Sequence, residues 1–210
     1  MSGKEKQGQN QEILGIDVSH WNGMIIWSHV AGAGIRFAML KCVNEGLKPD
    51  QRFNYNYQSC IRQAIHVGAY KYVTATTLWA AFREVKAILS VLRGKKITYG
   101  VWLDVEDKRL AGLSAKEQIR LIGFMLLMLR LCGYTAGVYC CKSWYDKVFA
   151  PYKLPWLFWI ARYPVKDDGE IHSKLDPGIG VCWQYSSKGK VEGIAGNVDR
   201  DLARMDLSKI

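Results

Sequence analysis

Two carboxylates one residue apart stand out in this chain, in the segment Trp102-Leu103-Asp104-Val105-Glu106. If the segment is extended, alternation puts Trp102, Asp104 and Glu106 on one face and Leu103 and Val105 on the other. Two carboxylates on one face repel each other, which raises the proton affinity of one of them. One can then stay protonated as an acid while the other stays charged. That division of labour suits glycoside cleavage, in which one group protonates the leaving oxygen and the other stabilises the developing oxocarbenium ion. Further acids fall at the ends of apolar segments: Asp17, Glu45 and Asp199. The same D-x-E also suits a strand end running into the polar turn Asp107-Lys108-Arg109, so the motif alone leaves both readings open.

A second constellation is aromatic. Tyr70, Tyr72, Tyr139, Trp159, Tyr163, Trp183 and Tyr185 fall on or beside strand-like segments. Sugar rings present apolar C–H faces that stack on such rings, although any single strand aromatic is more often a core residue. The six cysteines form no C-x-x-C and no His pair completes a zinc pattern, so they read as buried free thiols, with no metal expected. No G-x-G-x-x-G follows the first strand and no Walker motif occurs, which disfavours nucleotide binding.

The elements that must position these residues alternate regularly. Strand-like segments span 13–20, 37–43, 69–73, 97–106 and 135–140. Between them lie helical stretches at 27–33, from Asp50 to a stop at Gly68, from Leu78 to Gly94, and from Ser114 to Gly133. The third shows Leu78, Phe82, Val85, Leu89 and Leu92 on one face, and the fourth opens on the capping box Ser114 and Glu117. A short helix at 143–149 follows. Three more strands, 156–163, 181–185 and 198–202, are then joined by loops. Five strand–helix units followed by about three strands predict an α/β protein with a largely parallel sheet. Closed into a barrel, such a sheet gathers function at the C-terminal ends of its strands.

Composition agrees with one folded domain. Of 210 residues, 49% are hydrophobic and 23% charged, which excludes a disordered or fibrous chain. Residues 1–12 are polar, have no apolar stretch of a secretory signal, and read as a disordered or appended lead; 13–210 read as a single catalytic domain. The longest apolar run, residues 121–129, is too short for a bilayer, which takes about 20 residues, so membrane insertion is not expected. The net charge is +10, spread without a long basic run. It would attract a polyanion, either nucleic acid or an anionic cell surface, but the acidic strand ends would repel nucleic-acid phosphates.

The ordered set of motifs resembles glycoside hydrolase family 25, the lysozyme-like N-acetylmuramidases. The resemblance runs through 15–23 (GIDVSHWNG), Lys41 with Glu45-Gly46, Asp50, Phe53 and Asn56, and Gly68-Ala69-Tyr70 with Tyr72. It continues through Leu103-Asp104-Val105-Glu106, Trp159-Ile160-Ala161 with Tyr163, Trp183-Gln184-Tyr185 and Gly196-Asn197-Val198-Asp199. It implies an irregular TIM-like barrel of about eight strands and about five main helices, (β/α)5(β)3. It also implies hydrolysis of the β-1,4 bond between N-acetylmuramic acid and N-acetylglucosamine in bacterial peptidoglycan, without a cofactor or metal. By carry-over Glu106 is the general acid, Asp104 assists it, and Asp17 and Asp199 line the same groove. Glu45, Tyr70, Tyr72, Tyr139, Trp159 and Tyr163 are expected to bind substrate, and His20 to be structural near Asp17. The chain is expected to be monomeric and to act outside the cell or in the cell wall, reached by secretion or lysis, with anionic wall polymers as further partners. Asn22, Cys42-Val43-Asn44, Lys71 and Arg162 depart from the usual pattern without removing a carboxylate. A non-catalytic peptidoglycan-binding module, or a glycosidase of another amino-sugar polymer, are the alternatives.

Overall fold

The computed structural model describes residues 13–210; the proposed lead at 1–12 lies outside them. Eight strands close into a barrel in chain order: β1 (Ile13–Val18), β2 (Phe37–Val43), β3 (His66–Tyr72), β4 (Val101–Asp104), β5 (Ala136–Cys141), β6 (Leu157–Ala161), β7 (Cys182–Gly189) and β8 (Val198–Ala203). β1 through β7 are parallel, and β8 runs antiparallel between β7 and β1. The C-terminal ends of seven strands and the N-terminal end of β8 therefore share one mouth.

The outer layer includes α1 (Trp27–Gly32), α2 (Phe53–Arg62), α3 (Leu78–Leu92), the single turn α4 (Lys108–Ala111), α5 (Ala115–Leu131) and the single turn α6 (Lys142–Trp144). As expected, α5 opens on a capping box: Ser114 accepts from the Glu117 amide at 3.3 Å, and Glu117 accepts from the Ser114 amide at 2.8 Å. The apolar faces split by strand alternation. Val101, Leu103 and Val105 join the shell between barrel and helices, while Trp102, Tyr139 and Trp159 fill the barrel interior with Phe37 and Met39.

Four details differ from the sequence expectation. α2 ends at Arg62, with Ala64 in the left-handed region (φ 54), and Gly68 lies inside β3 rather than stopping a helix. A Cβ at Gly68 would come within 2.2 Å of the Met39 sulfur, so this position needs glycine for close packing. β4 starts at Val101, not residue 97, because Gly100 takes φ 78 and breaks the extension. The buried face of α3 is Ala81, Val85, Ile88 and Leu92, while Leu78 at the first turn is 39% exposed. Trp183 and Tyr185 are buried with Leu202 in a small separate cluster and do not line the mouth.

Candidate active site

A cavity of about 320 Å³ opens at the mouth. Strand register assembles its wall: Tyr72 pairs with Asp104, Asp104 with Tyr139, Tyr139 with Trp159, and across the closing seam Asp17 with Asp199. Asp17, Asp104, Glu106 and Asp199 all line it, together with Tyr70, Tyr72, Tyr139 and Trp159. Glu45 and Tyr163 do not. Glu45 is exposed in the turn after β2, and Tyr163 is partly exposed beyond β6, its phenol pKa raised first by burial of part of the ring and then by Asp199 and Glu106. His20 pairs with Asp50, not Asp17, at 2.5 Å. Asp50 does not cap α2 directly; it accepts from the Arg52 amide ahead of the helix.

The carboxylates form two groups. Asp104 is buried, and Glu106 opens to solvent at the mouth while protein surrounds the rest of its side chain. Burial raises the pKa of both. Asp104 is raised further by Glu106 and lowered by the ammonium groups of Lys41 and Lys71. One Asp104 oxygen, Oδ1, is buried without a hydrogen-bond partner. In the second group, burial again dominates. It raises Asp17, with Asp199 and Asp201 adding repulsion, and it pushes Asp199 up to about 6. Asp201, fully buried one strand repeat below Asp199, is raised for the same reason.

Several residues that position the site were not anticipated. Gln184 donates to Asp17 at 2.7 Å and accepts from the Tyr139 hydroxyl at 3.0 Å, bridging an acid and an aromatic wall. Trp159 donates its indole N–H to Asp201 at 2.8 Å, leaving the other Asp201 oxygen buried without a partner. Asp107 forms a two-pronged pair with Arg109, both contacts at 2.8 Å, which holds its carboxyl down to about 2. The Tyr72 hydroxyl donates to that carboxylate, which orients the Tyr72 ring at the mouth and raises its phenol to about 12, with burial the larger cause. Lys71, fully buried behind β3, donates to the Tyr72 carbonyl and lies 3.8 Å from Glu84. Glu84 is fixed by the Thr74 amide and hydroxyl at 3.0 and 2.6 Å. In sequence Gln184 is a position of the motif Trp183-Gln184-Tyr185 and Lys71 a departure from the usual pattern, and neither signals the partner it takes.

Among the described residues, no group of three or more His, Cys, Asp and Glu is placed to hold a metal ion. All six cysteines are free thiols, four of them buried. No helix among the described residues is long and apolar enough to cross a membrane. A second cavity, about 330 Å³ between Leu113, Gln118 and Trp144, has Lys147 as its one titratable lining residue and contains no pair that could share a proton. The mouth of the barrel, by contrast, brings four carboxylates to one cavity.

The chain is similar to known proteins over most of its length. The chain is 29% identical over 196 residues to the uncharacterized protein YegX of Escherichia coli O157:H7, covering 89% of this chain and 68% of that one. It is 29% identical over 207 residues to Lysozyme M1 of Streptomyces globisporus, covering 90% of this chain and 67% of that protein. The catalytic domain of endolysin ply40, from bacteriophage P40 of Listeria monocytogenes, shares the fold with a TM-score of 0.80 at 24% identity, over 96% of this chain and 98% of that one. The family model for glycosyl hydrolases family 25 matches residues 16–194, from Asp17 on β1 through Asp104 at the end of β4 and Glu106 just beyond it to Gln184 on β7. With most of its barrel and its paired carboxylates inside that match, the chain belongs to glycosyl hydrolases family 25 and is a glycoside hydrolase.

Proposed function

We propose that this protein hydrolyses bacterial peptidoglycan at the β-1,4 bond between N-acetylmuramic acid and N-acetylglucosamine. The observation that carries the reading is the unequal pair at the mouth: a buried Asp104, on which the charges of Lys41 and Lys71 favour the ionised form, and a solvent-reachable Glu106 raised by burial. Likeness to Lysozyme M1 and to an endolysin's catalytic domain supports the polymer.

Burial raises both carboxyls and Glu106 raises Asp104 further, so the two titrate as a pair. In this reading the proton serves from Glu106, because Lys41 and Lys71 favour charge on Asp104 and because only Glu106 is open to a substrate oxygen. Glu106 protonates the glycosidic oxygen as the C–O bond breaks. Asp104 stabilises the positive charge growing at the anomeric carbon, directly or by orienting the neighbouring acetamido group. Water completes the hydrolysis and its proton restores Glu106. Asp17 and Asp199 line the groove on the opposite wall, and the half-buried Tyr70 and Tyr72 offer faces for the sugar rings above the buried Tyr139 and Trp159, which shape the floor of the site. Glu45 and Tyr163 act further out, beyond the cavity. The protein works as a monomer at the cell wall, and its +10 charge draws it to anionic wall polymers.

Digestion of purified peptidoglycan tests the reading. New reducing ends should be N-acetylmuramic acid, and Glu106→Gln should lower kcat by about 10²–10⁴ without changing thermal stability by more than a few degrees. Release of N-acetylglucosamine reducing ends would overturn the bond assignment, and equal rates in the variant would overturn the role of Glu106.

A further inference from the structure

Trp21 lines the same cavity yet is 83% exposed, the most exposed of the aromatic side chains among the described residues. A large apolar ring in water is common enough singly. What sets this one apart is the rigidity of the turn that presents it. The 3-10 turn His20–Asn22 follows β1 directly and is closed by a capping box. The Ser19 hydroxyl accepts from the Trp21 amide at 3.3 Å, and the Ser19 amide donates to Asn22 at 2.9 Å. Gly23 ends the turn at φ 67, a conformation that glycine adopts freely.

The ring is also supported from beside. The His20 ring lies 4.5 Å from that of Trp21, tilted by 36°. His20 is itself tied to the buried Asp50 through its ring nitrogen at 2.5 Å and its amide at 3.3 Å. Asp50 is anchored in turn by the Arg52 amide at 3.0 Å. Four residues and a thirty-residue-long tertiary tie thus fix a tryptophan that makes little use of burial. Such a ring is ordered before any ligand arrives, so a ligand that stacks on it loses little ordering entropy.

We infer that Trp21 is a sugar-stacking platform at the rim of the cavity, taking the apolar face of a pyranose ring of the glycan strand whose scissile bond lies at Asp104 and Glu106. The occupant follows from continuity. Trp21, Asn22, Ser19 and Lys41 line one cavity with the carboxylates, so a polymer reaching Glu106 passes the indole with polar groups beside it for its hydroxyls. The inference rests on the glycosidase reading above and extends it to a subsite formed by the β1 turn.

Steady-state cleavage of soluble, uncrosslinked peptidoglycan strands tests it. Trp21→Ala should raise KM about tenfold and change kcat less than about twofold, with Trp21→Phe recovering most of the loss. Because the ring is exposed, the melting temperature should stay unchanged in both variants. Trp21→Ala with wild-type KM, or a loss falling on kcat alone, would overturn the inference, as would weaker attachment to intact walls with unaltered kinetics on soluble strands. If the wild-type protein releases no reducing ends at all, the glycosidase reading fails first. Binding of the same strands to the Glu106→Gln protein then decides the platform separately: equal affinity with and without Trp21 would overturn it.

Discussion

Replacing Asp199 with asparagine is expected to make the protein more stable at neutral pH and a poorer enzyme. Burial beside Asp17 pushes the Asp199 carboxyl up from 3.8 to about 6. Between those values the folded protein holds more of this proton than the unfolded chain, so stability falls as pH rises through the window. Below 3.8 the penalty is absent; above about 6 it is fully present. At about 1.4 kcal/mol per pH unit, the displacement corresponds to about 3 kcal/mol. Partial exposure and the contact with Asp17 reduce this to about 1–3 kcal/mol. Asparagine escapes the penalty, and its amide can still donate to Asp17. For a chain of this length, Asp199→Asn should therefore melt about 2–10 °C higher at pH 7.5, with the gap closing to about 1 °C at pH 4. Thermal unfolding of both proteins by circular dichroism from pH 4 to 8, beside turbidity clearance of cell walls, checks both halves. A gap independent of pH, or one that widens towards acid, would refute the reasoning, because either would mean that Asp199 is not destabilised as a carboxylate.

Two further outcomes follow from packing and charge. An added Cβ at Gly137 would lie 2.4 Å from the Trp102 ring and 2.7 Å from the Leu157 carbonyl, so Gly137→Ala should cost about 1–3 kcal/mol; Gly32→Ala, with open space around it in α1, should be neutral or stabilise by up to about 1 kcal/mol, both read by urea unfolding. Lys71→Met leaves Glu84 buried without its cation and should cost about 3–5 kcal/mol, whereas the pair Lys71→Met with Glu84→Gln, which keeps an acceptor for Thr74, should recover most of it in the same measurement.

The parts of the site written in local periodicity were legible. Alternation along residues 101–106 separates Asp104 from Leu103 and Val105 without any knowledge of the barrel, and the structure keeps that separation. The capping box of α5 is equally local, and the structure contains both of its bonds. The supporting contacts were not legible, because each joins segments far apart in the sequence. Gln184 reaches Asp17 across 167 residues, Trp159 reaches Asp201 across 42, and His20 reaches Asp50 across 30. No spacing rule couples such positions; only closure of the barrel does. Buried Lys71 reads in sequence as one more surface cation between two tyrosines, and its partner Glu84 as a polar residue on an amphipathic helix. In sequence Gly68 follows the common habit of glycine at helix ends, and Gly100 falls inside the expected strand 97–106. One of them serves close packing inside a strand and the other a left-handed break before one.

The single antiparallel strand accounts for why acids from opposite ends of the chain meet. Were β8 parallel to its neighbours, its first residues would lie at the closed bottom, where Ala203 now sits beside Ile13 and Cys182. Reversal brings Val198 and Asp199 to the mouth and sets Asp199 directly across from Asp17. The same reversal places Asp201 one repeat deeper, against Gln184 on one side and Gly15 on the other, where water cannot reach it. Burial raises all three carboxyls in this seam, Asp199 adds repulsion on Asp17 and Asp201, and the hydrogen bonds from Gln184 and Trp159 offset only part of that. The closing strand thus concentrates negative charge where an isolated barrel would avoid it. The core beneath it, from Trp102 through Phe37, is tied to that seam by two of its members: Trp159 donates to Asp201, and Tyr139 donates to the Gln184 that holds Asp17.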